Sequence, residues 1–172
     1  MITVISGTNR PGSTTRIIAT AYSQLLTGLG QENRLYSLED LPREFAFTDL
    51  YGKRSPAFQE QLETYILPAE RFVAVLPEYN GTFPGIFKLL FDGISPEQLM
   101  GKKIGMVGVA NGRGGNLRGL DQLTAAMHYL QMFVYPKHLP LSLIKDHISA
   151  ERQPDEPTLA ALRAHAAGLA TF

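Results

Sequence analysis

The chain has 172 residues, no cysteine, and 16 basic against 16 acidic side chains, so its formal net charge is +0. A balanced charge provides no surface that attracts nucleic acid or an anionic membrane, and we expect neither as a partner. The lack of cysteine excludes disulfides, thiolate metal sites and a cysteine nucleophile. No apolar run approaches the length of a membrane span. We expect one cytoplasmic domain over residues 1–172, with no metal.

Short apolar runs rich in β-branched residues alternate along the chain with longer amphipathic segments. The predicted strands are residues 2–6, 33–38, 71–76, 103–109 and 132–135, and the predicted helices are residues 14–30, 55–68, 83–94, 117–130 and 157–170. The apolar runs do not alternate in polarity, which is typical of strands covered on both faces. The strict alternation predicts an α/β fold. Its core is a doubly wound, five-stranded parallel sheet in the order 2-1-3-4-5, with helices on both faces.

In a sheet of this kind, ligands bind beyond the carboxyl ends of the strands, at the switch point between the first and third strands. Three predicted loops meet there: residues 7–14, 77–84 and 110–116. All three are rich in Gly, Asn, Thr or Arg. The sequence therefore predicts a binding site built from these loops.

The first of these loops lies in the stretch SGTNRPGSTTR, residues 6–16. It lacks the dinucleotide pattern G-x-G-x-x-G, and Ser13 stands where a Walker A loop needs its lysine. The start of the following helix offers free N–H groups to a phosphate monoester, and Arg10 adds a forked donor. Further donors are the hydroxyls of Thr8, Ser13, Thr14 and Thr15. We predict a phosphomonoester site; the alternative is a plain turn in which Ser13 or Thr14 only caps the helix.

The three loops resemble the motifs of the NADPH-dependent FMN reductases, a flavodoxin-like family that includes quinone, azo and chromate reductases. GTNRPGSTTR (7–16) resembles the family segment G-S-x-R-x-x-S-x-x-x. LPEYNGTFPGIFKLLFDGIS (76–95) resembles its P-E-Y-N motif, and GVANGRGGNLRGLDQL (108–123) resembles its third, Gly-rich loop. Thr8 replaces the usual Ser but keeps a hydroxyl, and Gly93 stands where Trp is usual.

The resemblance implies an FMN cofactor whose phosphate lies on the first loop and whose ring crosses the other two. The cofactor-binding residues implied on these two loops are Pro77, Glu78, Tyr79, Asn80, Gly81, Asn111, Gly112, Arg113 and Gly114; the third loop contacts the flavin, the nicotinamide cofactor or the substrate. It also implies an FMN-dependent oxidoreductase that passes a hydride from NADPH or NADH to FMN. A small acceptor, quinone-like or azo, then follows in a ping-pong scheme. We expect no catalytic side chain, because the cofactor carries this chemistry.

Two other functions remain open at this point. One is a flavodoxin-type carrier that binds FMN and hands single electrons to a protein partner. The other is a non-catalytic relative that binds some other phosphate ligand. Flavodoxin carriers are typically acidic, whereas this chain is neutral and places Arg10, Arg16 and Arg113 in or beside the loops.

The predicted helix at residues 83–94 is apolar around about 200° of its circumference, roughly twice what one core face requires. Its apolar residues are Ile86, Phe87, Leu89, Leu90, Phe91 and Ile94. We therefore expect the sheet to cover one side and a second subunit the other. The family resemblance likewise implies a homodimer or a homotetramer. Residues 39–57 receive no role from the sequence.

Overall fold

A computed structural model describes residues 1–51 and 53–172. The strands are β1 (Ile2–Ser6), β2 (Asn33–Ser37), β3 (Arg71–Pro77), β4 (Lys103–Val109), β5 (Phe133–Val134) and β6 (Leu139–Leu141). The helices are α1 (Thr14–Gly28), α2 (Phe45–Thr48), α3 (Pro56–Gln61), α4 (Gly85–Asp92), α5 (Leu117–Tyr129) and α6 (Glu156–Thr171). A π-helical turn, Leu62–Ile66, continues α3. None of the described helices is long and apolar enough to cross a membrane.

The strands form one parallel sheet in the order β2-β1-β3-β4-β5, which confirms the predicted flavodoxin-like topology. The predicted fifth strand, residues 132–135, is shorter than expected, and the sheet has a sixth strand, β6, that the sequence did not predict. β5 pairs with the start of β4 (Lys103↔Phe133), and β6 pairs with its end (Val107↔Leu139). Pro136 lies in the interval and has no N–H to donate to the ladder, which accounts for the break.

Two apolar cores cover the two faces of the sheet. α1 and α6 pack on one face, with Ile18, Tyr22 and Leu162 among the buried side chains. α3, α4 and α5 pack on the other, where Phe58 and Phe87 are buried. β1, β3 and β4 are therefore buried almost throughout, as their apolar sequences predict. This rigid sheet fixes the positions of the loops at its carboxyl edge.

The wide apolar arc of α4 is largely covered by the chain itself. Phe87, Leu90 and Phe91 are buried, while Ile86 and Leu89 are half-buried against the same core. The opposite face carries the ion pair between Lys88 and Asp92. Coverage by a second subunit stays a prediction.

The connection from β2 to α3 is organised around a buried carboxylate. Asp49 accepts hydrogen bonds from the Ser55 amide and from the Thr48 hydroxyl, the latter at 3.0 Å. Arg54 donates to the Gly93 carbonyl at 2.8 Å and so ties this segment to the end of α4. A Cβ at Gly93 would lie 3.2 Å from the Phe58 ring. The Trp that the family usually has at this position would require the Phe58 and Leu50 side chains to shift.

A buried histidine joins α6 to α1. His165 Nδ1 and the Tyr22 hydroxyl share a hydrogen bond of 2.7 Å, and the Tyr135 ring packs edge-on at 5.3 Å between ring centroids. Burial lowers the pKa of His165 from 6.5 to about 4. The ring is therefore neutral in the folded protein at neutral pH.

This histidine makes stability depend on pH. The unfolded chain binds the proton near pH 6.5 and the folded chain only near pH 4, so acidification through this window favours unfolding. We expect His165 to account for a loss of about 2 kcal/mol in unfolding free energy between pH 7 and pH 5. His165→Asn removes that part of the dependence, as urea unfolding at the two pH values would measure. His128→Asn, at an exposed position on α5, is the control; an equally steep loss in both variants contradicts the assignment.

Candidate functional site

The first loop, between β1 and α1, turns tightly against the end of β3. The Gly7 amide donates to the Val75 carbonyl at 2.9 Å, and a Cβ on Gly7 would lie 2.4 Å from a Leu76 methyl carbon. Only glycine fits this contact. Gly12 has φ +63°, which lets the chain reverse immediately before the helix.

The start of α1 leaves backbone donors free. Ser13 caps the helix, since its hydroxyl accepts from the Arg16 amide at 3.3 Å. Throughout the described chain, no hydrogen bond uses the amides of residues 12–15 as donors. Ser13 therefore caps the helix as the plain-turn alternative expects, and unpaired N–H groups remain available to an anion.

Thr8 lies beneath the loop and not in the open cleft. Its side chain is buried, and its hydroxyl shares a 2.7 Å hydrogen bond with the Tyr79 hydroxyl. The same oxygen accepts from the Arg10 amide at 3.2 Å. Thr8 thus connects the first loop to the second and fixes the turn that carries Arg10.

The second loop, which follows β3, contains a two-residue hairpin turn. Tyr79 and Thr82 exchange backbone hydrogen bonds of 2.9 and 3.1 Å across Asn80 and Gly81. The two central residues have φ +52° and +78°, the type I′ geometry that Asn-Gly favours. No atom lies within 4 Å of a Cβ built on Gly81, so the turn, not a close contact, requires glycine there.

The third loop, which follows β4, is exposed over residues 111–114 and ends in a buried asparagine. Asn116 adopts φ +67°, and its Nδ2 donates to the carbonyls of Leu76 and Pro77 at 3.2 and 3.1 Å. Gly119 makes room for it, because a Cβ there would lie 2.3 Å from Asn116 Oδ1. Asn116 therefore fastens the start of α5 to the end of β3.

A cleft of about 380 Å³ opens between the loops at the carboxyl edge. Eight of the predicted site residues line it: Arg10, Ser13, Thr14, Thr15, Pro77, Glu78, Tyr79 and Asn111. Six others stand outside the lining: Thr8 below it, Asn80 and Gly81 in the turn, and Gly112, Arg113 and Gly114 on the exposed third loop. Their contact with a ligand stays a prediction.

The sequence reasoning missed part of the lining, and most importantly a second cation. The additional residues are Pro11, Gly12, Val109, Ala110, Ile144 and Lys145. Lys145 reaches the cleft because Ala110 donates to the Leu141 carbonyl and Ile144 donates to the Ala110 carbonyl, both at 3.0 Å. Neither Arg10 nor Lys145 forms an ion pair within residues 1–51 and 53–172.

The model of the NADPH-dependent FMN reductase family matches residues 1–145. The chain belongs to this family. The matched region includes every residue that lines the cleft and ends at Lys145. The resemblance of the three loops is thereby confirmed. This FMN reductase is an oxidoreductase with FMN as cofactor and NAD(P)H as reductant.

Two relatives agree with this assignment, and one solved structure shares the fold. An NADPH azoreductase from Bacillus sp. (strain OY1-2) is 26% identical over 152 residues, which are 87% of this chain and 79% of the relative. The NADH-dependent FMN reductase SfnE from Pseudomonas putida is 26% identical over 137 residues, which are 79% of this chain and 73% of the relative. The solved structure of FerB, a flavoenzyme NAD(P)H:(acceptor) oxidoreductase from Paracoccus denitrificans, has a TM-score of 0.79 at 20% identity. That match covers 99% of this chain and 95% of FerB.

The cleft fits an FMN cofactor by its donors and its size. The unpaired amides of residues 12–15 and the unpaired cations of Arg10 and Lys145 suit a phosphate dianion. The volume of the cleft is within the usual range for small-molecule sites, about 300–1,000 Å³. The carboxylate of Glu78 also lines the cleft, together with polar backbone at the end of β3.

The Asn116 contacts lead to a test of how the cleft is held together. Asn116→Gly keeps the left-handed backbone but removes both hydrogen bonds to β3. We expect a loss of about 1–3 kcal/mol in unfolding free energy and faster amide exchange in residues 77–82 and 111–115. Gln131→Gly, at an exposed position with φ +56°, is the matched control. It should change neither the unfolding free energy nor the amide exchange of these loops. Equal behaviour of the two variants would show that the Asn116 side chain does not hold the loops.

Proposed function

We propose that this FMN reductase passes reducing equivalents from NAD(P)H to a small diffusible acceptor of quinone or azo type. The observation that carries the proposal is the cleft at the switch point, where free amides and two unpaired cations face one open space. The named activities of the relatives, azoreduction and acceptor reduction, support this class of acceptor. NAD(P)H is a cytoplasmic reductant, and we place the enzyme in that compartment.

In this proposal the first loop holds the phosphate of FMN. The amides of residues 12–15 and the hydroxyls of Ser13, Thr14 and Thr15 donate to it, and Arg10 adds two parallel donors. Lys145, from the segment after β6, provides a second positive charge at the cleft. Thr8 acts indirectly, because it fixes the backbone of Arg10.

The second and third loops hold the ring system. FMN, when bound, supplies the hydride acceptor and donor of the reaction. Backbone groups of residues 77–81 and 111–114 contact the polar edge of the ring, and Tyr79 packs beside it, its hydroxyl held by Thr8. The chain thus binds and orients, and no side chain has to move a proton, because solvent supplies the proton that the acceptor takes up with the hydride. Since one opening serves both reductant and acceptor, the oxidised dinucleotide leaves before the acceptor enters, which is a ping-pong order.

A second subunit completes the proposed assembly. We propose a homodimer, or a dimer of dimers, through the face of α4 that holds the half-buried residues Ile86 and Leu89. This helix follows the second loop in the chain, so a partner placed there would contact the element next to that loop.

The phosphate contacts are tested with Arg10→Ala. Loss of the guanidinium removes a charge-assisted contact, so FMN should bind more weakly by about 1.5–3 kcal/mol. Riboflavin lacks the phosphate, and its binding should change less. Flavin-fluorescence titration measures both affinities, with Arg118→Ala on the exposed surface of α5 as control. Unchanged FMN affinity in the Arg10 variant would contradict this placement of the phosphate.

The activity is tested by anaerobic mixing. The protein is loaded with FMN, desalted and mixed with NADPH or NADH while the visible flavin band is recorded, and a quinone or an azo dye is then added. We expect bleaching by the dinucleotide and recovery of the band on addition of the acceptor. Parallel lines in double-reciprocal plots would support the ping-pong order. A band that stays unbleached with both dinucleotides would favour the electron-carrier function instead.

A further inference from the structure

A second cavity lies on the other side of the phosphate loop from the cleft. It is a groove of about 280 Å³ along α1 and shares Gly12 and Ser13 with the cleft as a common wall. Ile17 and Ala21 contribute apolar surface to it. The remaining lining residues are all donors or amides: Arg16, Thr20, Gln24, Arg152 and Gln153.

The groove is locally basic in a chain of zero net charge. Two guanidinium groups line it, and no carboxylate of the described chain does. One arm of Arg16 pairs with Glu39 at 3.0 Å, and one arm of Arg152 donates to the Gly12 carbonyl at 2.9 Å. A guanidinium has five N–H donors, so both arginines retain donors for an anion.

A hydrogen-bonded turn holds one of these arginines in place. Arg152 has φ +61°, a conformation that costs a non-glycine residue about 1–2 kcal/mol. Its amide donates to the Ser149 carbonyl at 2.9 Å, and the Ser149 amide donates to the Gln153 carbonyl at 2.9 Å, which closes a tight turn. The turn places the guanidinium beside Gly12, so the basic wall of the groove is formed before any ligand arrives.

We propose that this groove binds the adenosine 2′-phosphate end of NADPH. The inference rests on the proposed function, in which the nicotinamide reaches the cleft across the shared wall at Gly12 and Ser13. The phosphate would lie between Arg16 and Arg152, whose forked donors match its oxygens, and the adenine would lie on Ile17 and Ala21. NADH lacks the 2′-phosphate and gains nothing from the two arginines. The groove therefore sets a preference for NADPH.

Direct binding tests the groove without turnover. The FMN-loaded protein is titrated calorimetrically with adenosine 2′,5′-bisphosphate, with AMP and with inorganic phosphate. We expect the bisphosphate to bind roughly tenfold or more tightly than AMP, and Arg152→Gly to abolish the difference. Glycine accepts the backbone conformation at position 152, so this variant keeps the fold. Equal affinity for bisphosphate and AMP overturns the proposal, as does inorganic phosphate that binds as tightly as the bisphosphate.

Kinetics test the preference itself. In Arg16→Ala and Arg152→Gly, the ratio of kcat/KM for NADPH to that for NADH should fall roughly ten- to hundredfold. Arg163→Ala, on the outer face of α6, is the control for loss of a positive charge. An unchanged ratio in both variants, even with slower turnover, overturns the proposal. If neither dinucleotide reduces the flavin of the unmodified protein, the proposed function is wrong. The calorimetric titration still tests whether the groove binds a 2′-phosphate.

Discussion

The position of β1 between β2 and β3 is the constraint on which the site depends. All three strands run parallel, so the crossover connection after each strand begins at the same edge of the sheet. The chain leaves β1 toward α1 on one face and leaves β3 toward α4 on the other. The loops after β1 and β3 therefore diverge, and neither loop fills the space between them. The cleft is thus a consequence of topology, and the loop residues decide only what it binds.

Hydrogen bonds, rather than apolar packing, hold the loops in register around this space. Thr8 links the first loop to Tyr79, and Asn116 links the start of α5 to the end of β3. Ala110 and Ile144 link the third loop to the segment after β6. Because these bonds are short-ranged and directional, they fix loop positions without filling the cleft with side chains. The open volume and the defined geometry are therefore compatible.

Much of the fold could be predicted from the sequence, because buried parallel strands and amphipathic helices leave strong local patterns. The strand order was predicted correctly, and a cleft lies at the edge where the sequence predicts binding. The inward side chain of Thr8 and the turn at Asn80–Gly81 could not be predicted from local sequence, since both depend on which backbone lies opposite. Lys145 carried no local signal at all. It reaches the cleft only because Pro136 breaks the last strand and the chain returns to pair with the end of β4.

β5 and β6 pair with different parts of β4 and have different roles. β5 closes the sheet against the start of β4, while β6 carries Ile144 and Lys145 to the cleft. Tyr135 is still anchored, since its amide donates to the Ile104 carbonyl at 2.8 Å and its ring packs against His165, whereas residues 136–138 belong to neither strand. Changes of length in this interval would leave the register of β1 to β4 intact while they shift one wall of the site. Evolution, or an engineer, can therefore reshape ligand choice here by insertion and deletion, with the scaffold unchanged.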